Sequence, residues 1–155
     1  MPGARREGQS ASWLSTAVWF GAIGALPDVD LLFGAHSTYT HSIGAATLLG
    51  VLAGGLAHRN RVRMGLAVAV AYATHIVLDW LGQDSRAPIG IMALWPFTDR
   101  FYESDLHWFG AISRHYWLPG FWAHNLKAIA WEMVALGPIT IAAWWIRKNR
   151  TRVLR

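Results

Sequence analysis

Apolar and polar positions fall in long blocks along this chain. The apolar blocks cover residues 13–27, 43–57, 64–81 and 126–146, and short polar or basic clusters separate them. A helix needs about 20 mostly apolar residues to cross a bilayer. The first block is short for that and needs tilt, a thin bilayer or burial against neighbours. The second is rich in Gly and Ala, which let helices approach closely in lipid. The third carries His75 and Asp79 near its end. The fourth is interrupted by Glu132 and by Gly137-Pro138, a pair that predicts a kink. The pattern predicts an all-α, polytopic membrane helical bundle of about four transmembrane helices, one membrane-embedded domain over residues 1–155. Residues 1–12 read as a short disordered leader. Residues 82–125 mix Pro, Gly, aromatics and both charge signs, and read as loops with interfacial helices. The first block also has the look of a signal-peptide core, but Pro27 and an acidic pair follow at once, which argues against cleavage.

Composition supports the membrane reading. Hydrophobic residues make up 54% and Asp, Glu, Lys and Arg only 15%, against about 25% charged in soluble domains. Cysteine is absent, so disulfides and thiolate metal ligands are excluded. The net charge of +5 does not point to nucleic acid, because the basic residues lie in short clusters beside apolar runs, as membrane-flanking charge does.

The charge map also gives an orientation. With the N-terminus in the cytoplasm and four spans threaded, Arg5, Arg6, Arg59, Arg61, Arg63, Arg147, Lys148, Arg150, Arg152 and Arg155 fall inside, ten of the fourteen basic residues. The positive-inside rule selects the same orientation. Both termini are then cytoplasmic. Asp28, Asp30, His36, His41 and the 82–125 segment lie at the outer face. Asp79 sits near the outer end of the third span, with His75 about one turn deeper. Glu132, six residues past Leu126, lies roughly 9 Å down the fourth span, at a depth similar to His75.

These polar residues are the candidates for chemistry. His75 and Asp79 are i and i+4 on one helix face, able to ligate one ion or to pair as ring and orienting carboxylate; the bland alternative is a helix-face hydrogen bond. In an apolar span ionisable groups are expensive and point to function. Asp28-Val29-Asp30 follows a proline, as a turn or cap would, yet two acids so close repel unless a cation or proton neutralises them. His36 and His41 flank Ser37-Thr38-Tyr39-Thr40, and neutral imidazole is a common ligand for divalent metals. Thr40 or Ser42 is expected to cap the second helix. His107, His115 and His124 lie among aromatics of interfacial type and are expected to be structural.

In order, P-D-V-D-L-L at 27–32, H-S-T-Y-T-H-S at 36–42 and H-I-V-L-D at 75–79 resemble the integral-membrane metal-dependent hydrolase family of bacteria and archaea, which includes LexA-regulated inner-membrane proteins. The resemblance implies metal-site roles for Asp28, Asp30, His36, His41, His75 and Asp79. Pro96-Phe97-Thr98-Asp99-Arg100 resembles a family segment after the third span, which brings Asp99 and Arg100 in as catalytic candidates beside Glu132. Ser37 stands where the family usually has arginine. If that arginine holds an anion, Arg100 is the substitute here.

The function expected from this set is a metal-dependent hydrolase of the cytoplasmic (inner) membrane. One or two divalent ions, zinc first and manganese or iron as alternatives, activate water. Six ligand candidates exceed one tetrahedral zinc, which favours two ions with Asp28 or Asp30 bridging. A site near the outer interface suits an amphiphilic membrane lipid as substrate, a headgroup phosphoester above an ester or amide, with Arg86, Arg100 and Arg114 available to phosphate. Two readings compete: a non-enzymatic metal-binding or transport protein, and a structural subunit whose charges only pair helices. Transport needs polar groups continuing to the inner side, and few lie below His75 and Glu132.

Overall fold

The computed structural model describes residues 3–34, 37–84, 87–113 and 115–153, with the helix ends 3–13 and 150–153 described as backbone only. The protein is helical: α1 (Gly3–Gly24), a 3₁₀ segment (Leu26–Phe33), α2 (Ile43–Leu56), α3 (Arg61–Leu81) and α4 (Phe121–Val153). It divides into two compact units, Met1–Leu106 and His107–Arg155.

Three expectations change. First, helix begins at Gly3, where a disordered leader was expected; Ala4, Arg5, Arg6, Glu7 and Gln9 are all good helix formers. Second, no helix lies within residues 82–120 among the described residues. Pro88, Pro96 and Pro119 lack the amide hydrogen that a helix interior needs, so the expected interfacial helices are replaced by turns up to the start of α4. Third, four transmembrane helices are not present among the described residues. Two helices are long and apolar enough to cross, in α3 and α4, and a third crossing arises only if Leu14–Gly24 and Leu26–Phe33, bent by 46°, form one broken span. The 14 residues of α2 reach ~21 Å at 1.5 Å per residue, short of a ~30 Å hydrocarbon core. In α4 the helical backbone continues through Pro138.

In the first unit α2 and α3 form an antiparallel hairpin on which α1 packs through α3. The hairpin is close because its facing residues are small. A Cβ on Gly50 would meet Ala69 Cβ at 2.8 Å and the Gly65 carbonyl oxygen at 2.8 Å, and one on Gly65 would meet the Gly50 carbonyl oxygen at 2.7 Å. Ala46, Tyr72, Ile76 and Ile91 make the buried core, with Ile23 of α1, Leu49 of α2 and Ala93 packed against it. α2 is seven residues shorter than α3 (14 against 21). The missing two turns of α2 are taken by the 37–42 turn, which therefore lies beside the last turns of α3. Residues 91–97 brace this turn: Met92 N–H donates to Ser37 O, and Ala93 O and Trp95 O accept from Ile43 and Gly44 N–H, at 2.9, 2.9 and 3.0 Å.

In the second unit, α4 carries Asn125, whose side chain clasps Ser113: Oδ1 accepts from its N–H and Nδ2 donates to its carbonyl, both at 2.9 Å. Trp131 Nε1 donates to Trp108 O at 2.7 Å.

Candidate functional site

The 3₁₀ segment exists because Pro27 sits in its first turn, where the missing N–H costs nothing. Gly34, in the left-handed region at φ 73°, closes it by donating to Asp30 O and Leu31 O, a conformation glycine adopts without strain. The bend at Ala25 turns the segment away from the α1 axis, and Asp28 and Asp30 come with it. Ser42 caps α2, its Oγ accepting from Ala45 N–H at 3.1 Å and donating to Tyr39 O at 2.6 Å. That cap fixes the turn in which His41 lies, fully buried at 0% exposure.

Four side chains meet between these elements. His41 Nε2 lies 3.1 Å from Asp79 Oδ2 and 3.8 Å from Asp28 Oδ1. His75 Nε2 lies 3.3 Å from Asp79 Oδ2 and 3.5 Å from Asp28 Oδ1. The two rings are 5.3 Å apart between centroids. Asp28, His41 and His75 each present a donor atom within 4.8 Å of the others. His75 Nε2 is buried, yet its geometry toward either carboxylate is not that of a hydrogen bond. The cluster is graded in exposure: His41 is sealed, the side chains of His75 and Asp79 are 18% and 31% exposed, and that of Asp28 is 43% exposed. It opens on the Asp28 side.

Asp30 stands on the opposite side of the His41 ring. Its Oδ2 is 3.1 Å from Nδ1 of His41 and accepts from Thr40 Oγ1 at 2.9 Å. Thr40 Oγ1 is itself 3.1 Å from Nδ1, and Tyr72 Oη donates to Thr40 O at 2.7 Å across from α3.

Of the residues singled out from the sequence, the first unit brings Asp28, Asp30, His41, His75 and Asp79 together. His36 lies outside the described residues, as do Arg86 and Arg114. Asp99 and Arg100 are exposed on the turn after residues 91–97, where Arg100 N–H donates to Thr98 Oγ1 at 3.2 Å. Glu132 is half-buried on α4 of the second unit. There His124 Nε2 is 2.7 Å from Ala111 O, and the His115 ring stands edge-on to Trp117. Tyr72 was missed. Its signal was its register: residues 72, 75, 76 and 79 share one face of a helix, so its hydroxyl shares a stripe with His75 and Asp79.

A family model described as the YdjM inner membrane protein matches residues 2–151. No curated protein and no solved structure matches the chain.

Proposed function

The chain belongs to the YdjM inner membrane protein family, and from that premise we propose that it is a metal-dependent hydrolase of the inner membrane acting on an amphiphilic lipid. The observation that carries the reading is the convergence of two imidazole nitrogens and two carboxylate oxygens from three separate elements.

The donor set suits a transition-metal ion. Nitrogen and oxygen ligands on zinc lie at about 2.0–2.2 Å in a tetrahedron, so neighbouring donors stand roughly 3.3–3.6 Å apart. Four of the six edges, the N···O separations of 3.1, 3.3, 3.5 and 3.8 Å, bracket that length, and the three donors of Asp28, His41 and His75 lie within 4.8 Å of one another. Two neutral imidazoles and two carboxylates leave a doubly charged cation neutralised, and zinc, manganese or iron fits this mixed set better than magnesium. We assign Asp28, His41, His75 and Asp79 as the residues that would hold one ion. When bound, the ion would supply Lewis-acid chemistry, polarising a scissile group and making water acidic.

The protein's own groups complete the reading. Asp28 is the most exposed of the four and marks where a substrate enters. Leu32 and Phe33, just beyond it in the 3₁₀ segment, are 80% and 83% exposed, and Phe97 is 84% exposed. Apolar tips of this kind favour a lipid surface over water. A headgroup phosphoester is the first substrate class, with Arg100 as the anion-binding cation and Asp99 as a candidate for moving a proton. An orientation that puts Arg59, Arg61 and Arg63, at the start of α3, in the cytoplasm puts the site, at the other end of α3, at the outer interface.

The same distances also suit a helix-pairing network in which protonated His41 and His75 bridge Asp28 and Asp79. Elemental analysis of detergent-purified protein, before and after chelation, separates the two. About one equivalent of transition metal per chain supports the hydrolase and justifies assaying phospholipids for headgroup release. Metal-free protein that takes up neither zinc nor manganese overturns it and leaves the pairing network.

A further inference from the structure

Asp30 has a place in the cluster that a ligand would not occupy. His41 has two ring nitrogens, and they face different partners. Nε2 faces Asp28 and Asp79 at 3.8 and 3.1 Å, while Nδ1 faces Asp30 Oδ2 and Thr40 Oγ1, each at 3.1 Å. The Thr40 hydroxyl has one proton and donates it to Asp30 Oδ2 at 2.9 Å. Nδ1 therefore meets two acceptors and must itself carry a proton. A neutral ring with its proton on Nδ1 has its lone pair on Nε2, aimed at the other three donors. A carboxylate on the far nitrogen of a liganding histidine fixes the ring's orientation and tautomer and makes it a stronger donor.

Asp30 is itself held. Its residue is 5% exposed, and Thr40, which bonds to it, is held through its carbonyl by Tyr72 Oη at 2.7 Å. Tyr72 is buried, one turn before His75 on α3. A chain of contacts thus runs Tyr72–Thr40–Asp30–His41 and returns to the ion-binding face of α3.

Resting on the metal reading above, we infer that Asp30 is a positioning residue that acts through His41, with Thr40 and Tyr72 as its supports, and not a ligand to the ion.

The test is zinc binding to the full-length protein in detergent, with stoichiometry and affinity measured separately by competition against a chromophoric chelator. Asp30→Asn is expected to keep the wild-type stoichiometry and to weaken affinity by roughly 10- to 100-fold, the usual range for such partners. Thr40→Val should weaken it in the same direction. The decisive comparison is in the His41→Ala background, titrated to zinc concentrations high enough to load its weakened three-ligand site: there Asp30→Asn should have no further effect on affinity, because a residue acting only through the ring has nothing left to act on. A merely structural defect would lower the folded yield in both backgrounds. If Asp30→Asn loses zinc as completely as His75→Ala does, Asp30 is a ligand and the inference fails. It also fails if affinity is unchanged or if the two losses multiply. Wild-type protein that takes up no zinc overturns the metal reading together with this inference, whereas an unchanged Asp30→Asn beside a zinc-binding wild type overturns the inference alone.

Discussion

Nε2 of His41 and Oδ2 of Asp79 lie 3.1 Å apart, joining the turn before α2 to the last turn of α3. Asp79 Oδ2 also lies 3.3 Å from His75 Nε2, so one carboxylate oxygen serves both imidazoles. Removing it should cost more than removing either ring's other contact. Asp79→Ala is expected to reduce bound zinc from roughly one per chain, as a tetrahedral site holds, to a small fraction of that, and His41→Ala should do the same. Metal analysis after gel filtration checks both, and stoichiometric zinc in either variant would overturn the assignment of that residue.

On the proposed metal reading, metal removal should also be felt in stability, because one ion would tie ligands on the 3₁₀ segment, the turn before α2 and α3. A ligand present at 1,000 times its dissociation constant stabilises the native state by about 4 kcal/mol. Stripping wild-type protein with a chelator is expected to lower its melting temperature, and zinc should restore it. His75→Ala should melt at the same temperature with and without chelator. Equal chelator sensitivity in that variant would show that the ion binds elsewhere.

What the sequence disclosed follows the range of the interactions. His75 and Asp79 were visible as a pair because helical periodicity is local, and Ser42 was legible as a cap for the same reason. The Asp28–Asp30 turn was legible because Pro27 and two acids two residues apart are local signals as well. The division of labour between the two aspartates was not, since it depends on which side of the His41 ring each approaches, a contact across more than ten residues. Tyr72 was hidden because an aromatic in an apolar run reads as packing until its hydroxyl is seen to reach Thr40. The span count failed for a physical reason: hydropathy registers where apolar residues are, and in α2 the apolar run starts only after the His41 turn, which takes the place of two further turns at the helix's N-terminal end.

Packing of the hairpin should control the site indirectly. A methyl group at Gly50 would meet Ala69 Cβ and the Gly65 carbonyl oxygen, each at 2.8 Å, and overpacking of this kind costs roughly 1–3 kcal/mol. Gly50→Ala is expected to lower thermal stability and to weaken zinc binding, since pushing α2 from α3 separates His41 from His75 and Asp79. Gly55→Ala is the control: nothing lies within 4 Å of its Cβ position, and a helical Gly→Ala exchange there should be neutral or stabilising by up to ~1 kcal/mol. If both variants behave alike, the close approach at Gly50 is not what sets the hairpin.

The orientation can be tested with little disturbance because the chain contains no cysteine. Single-cysteine variants at His58, in the exposed turn between α2 and α3, and at Phe97, 84% exposed beyond α3, probe opposite ends of α3. That helix is 21 residues long, or ~31 Å at 1.5 Å per residue, enough to separate the two positions by a hydrocarbon core. The basic residues Arg59, Arg61 and Arg63 beside His58 favour the cytoplasmic side. A membrane-impermeant maleimide added to intact spheroplasts is expected to label Phe97→Cys, and to label His58→Cys only after permeabilisation. The reverse pattern would invert the protein and put Asp28, His41, His75 and Asp79 at the cytoplasmic interface. Labelling of both from outside would mean that the α2–α3 hairpin enters and leaves on one side, with α2 too short to carry the chain across.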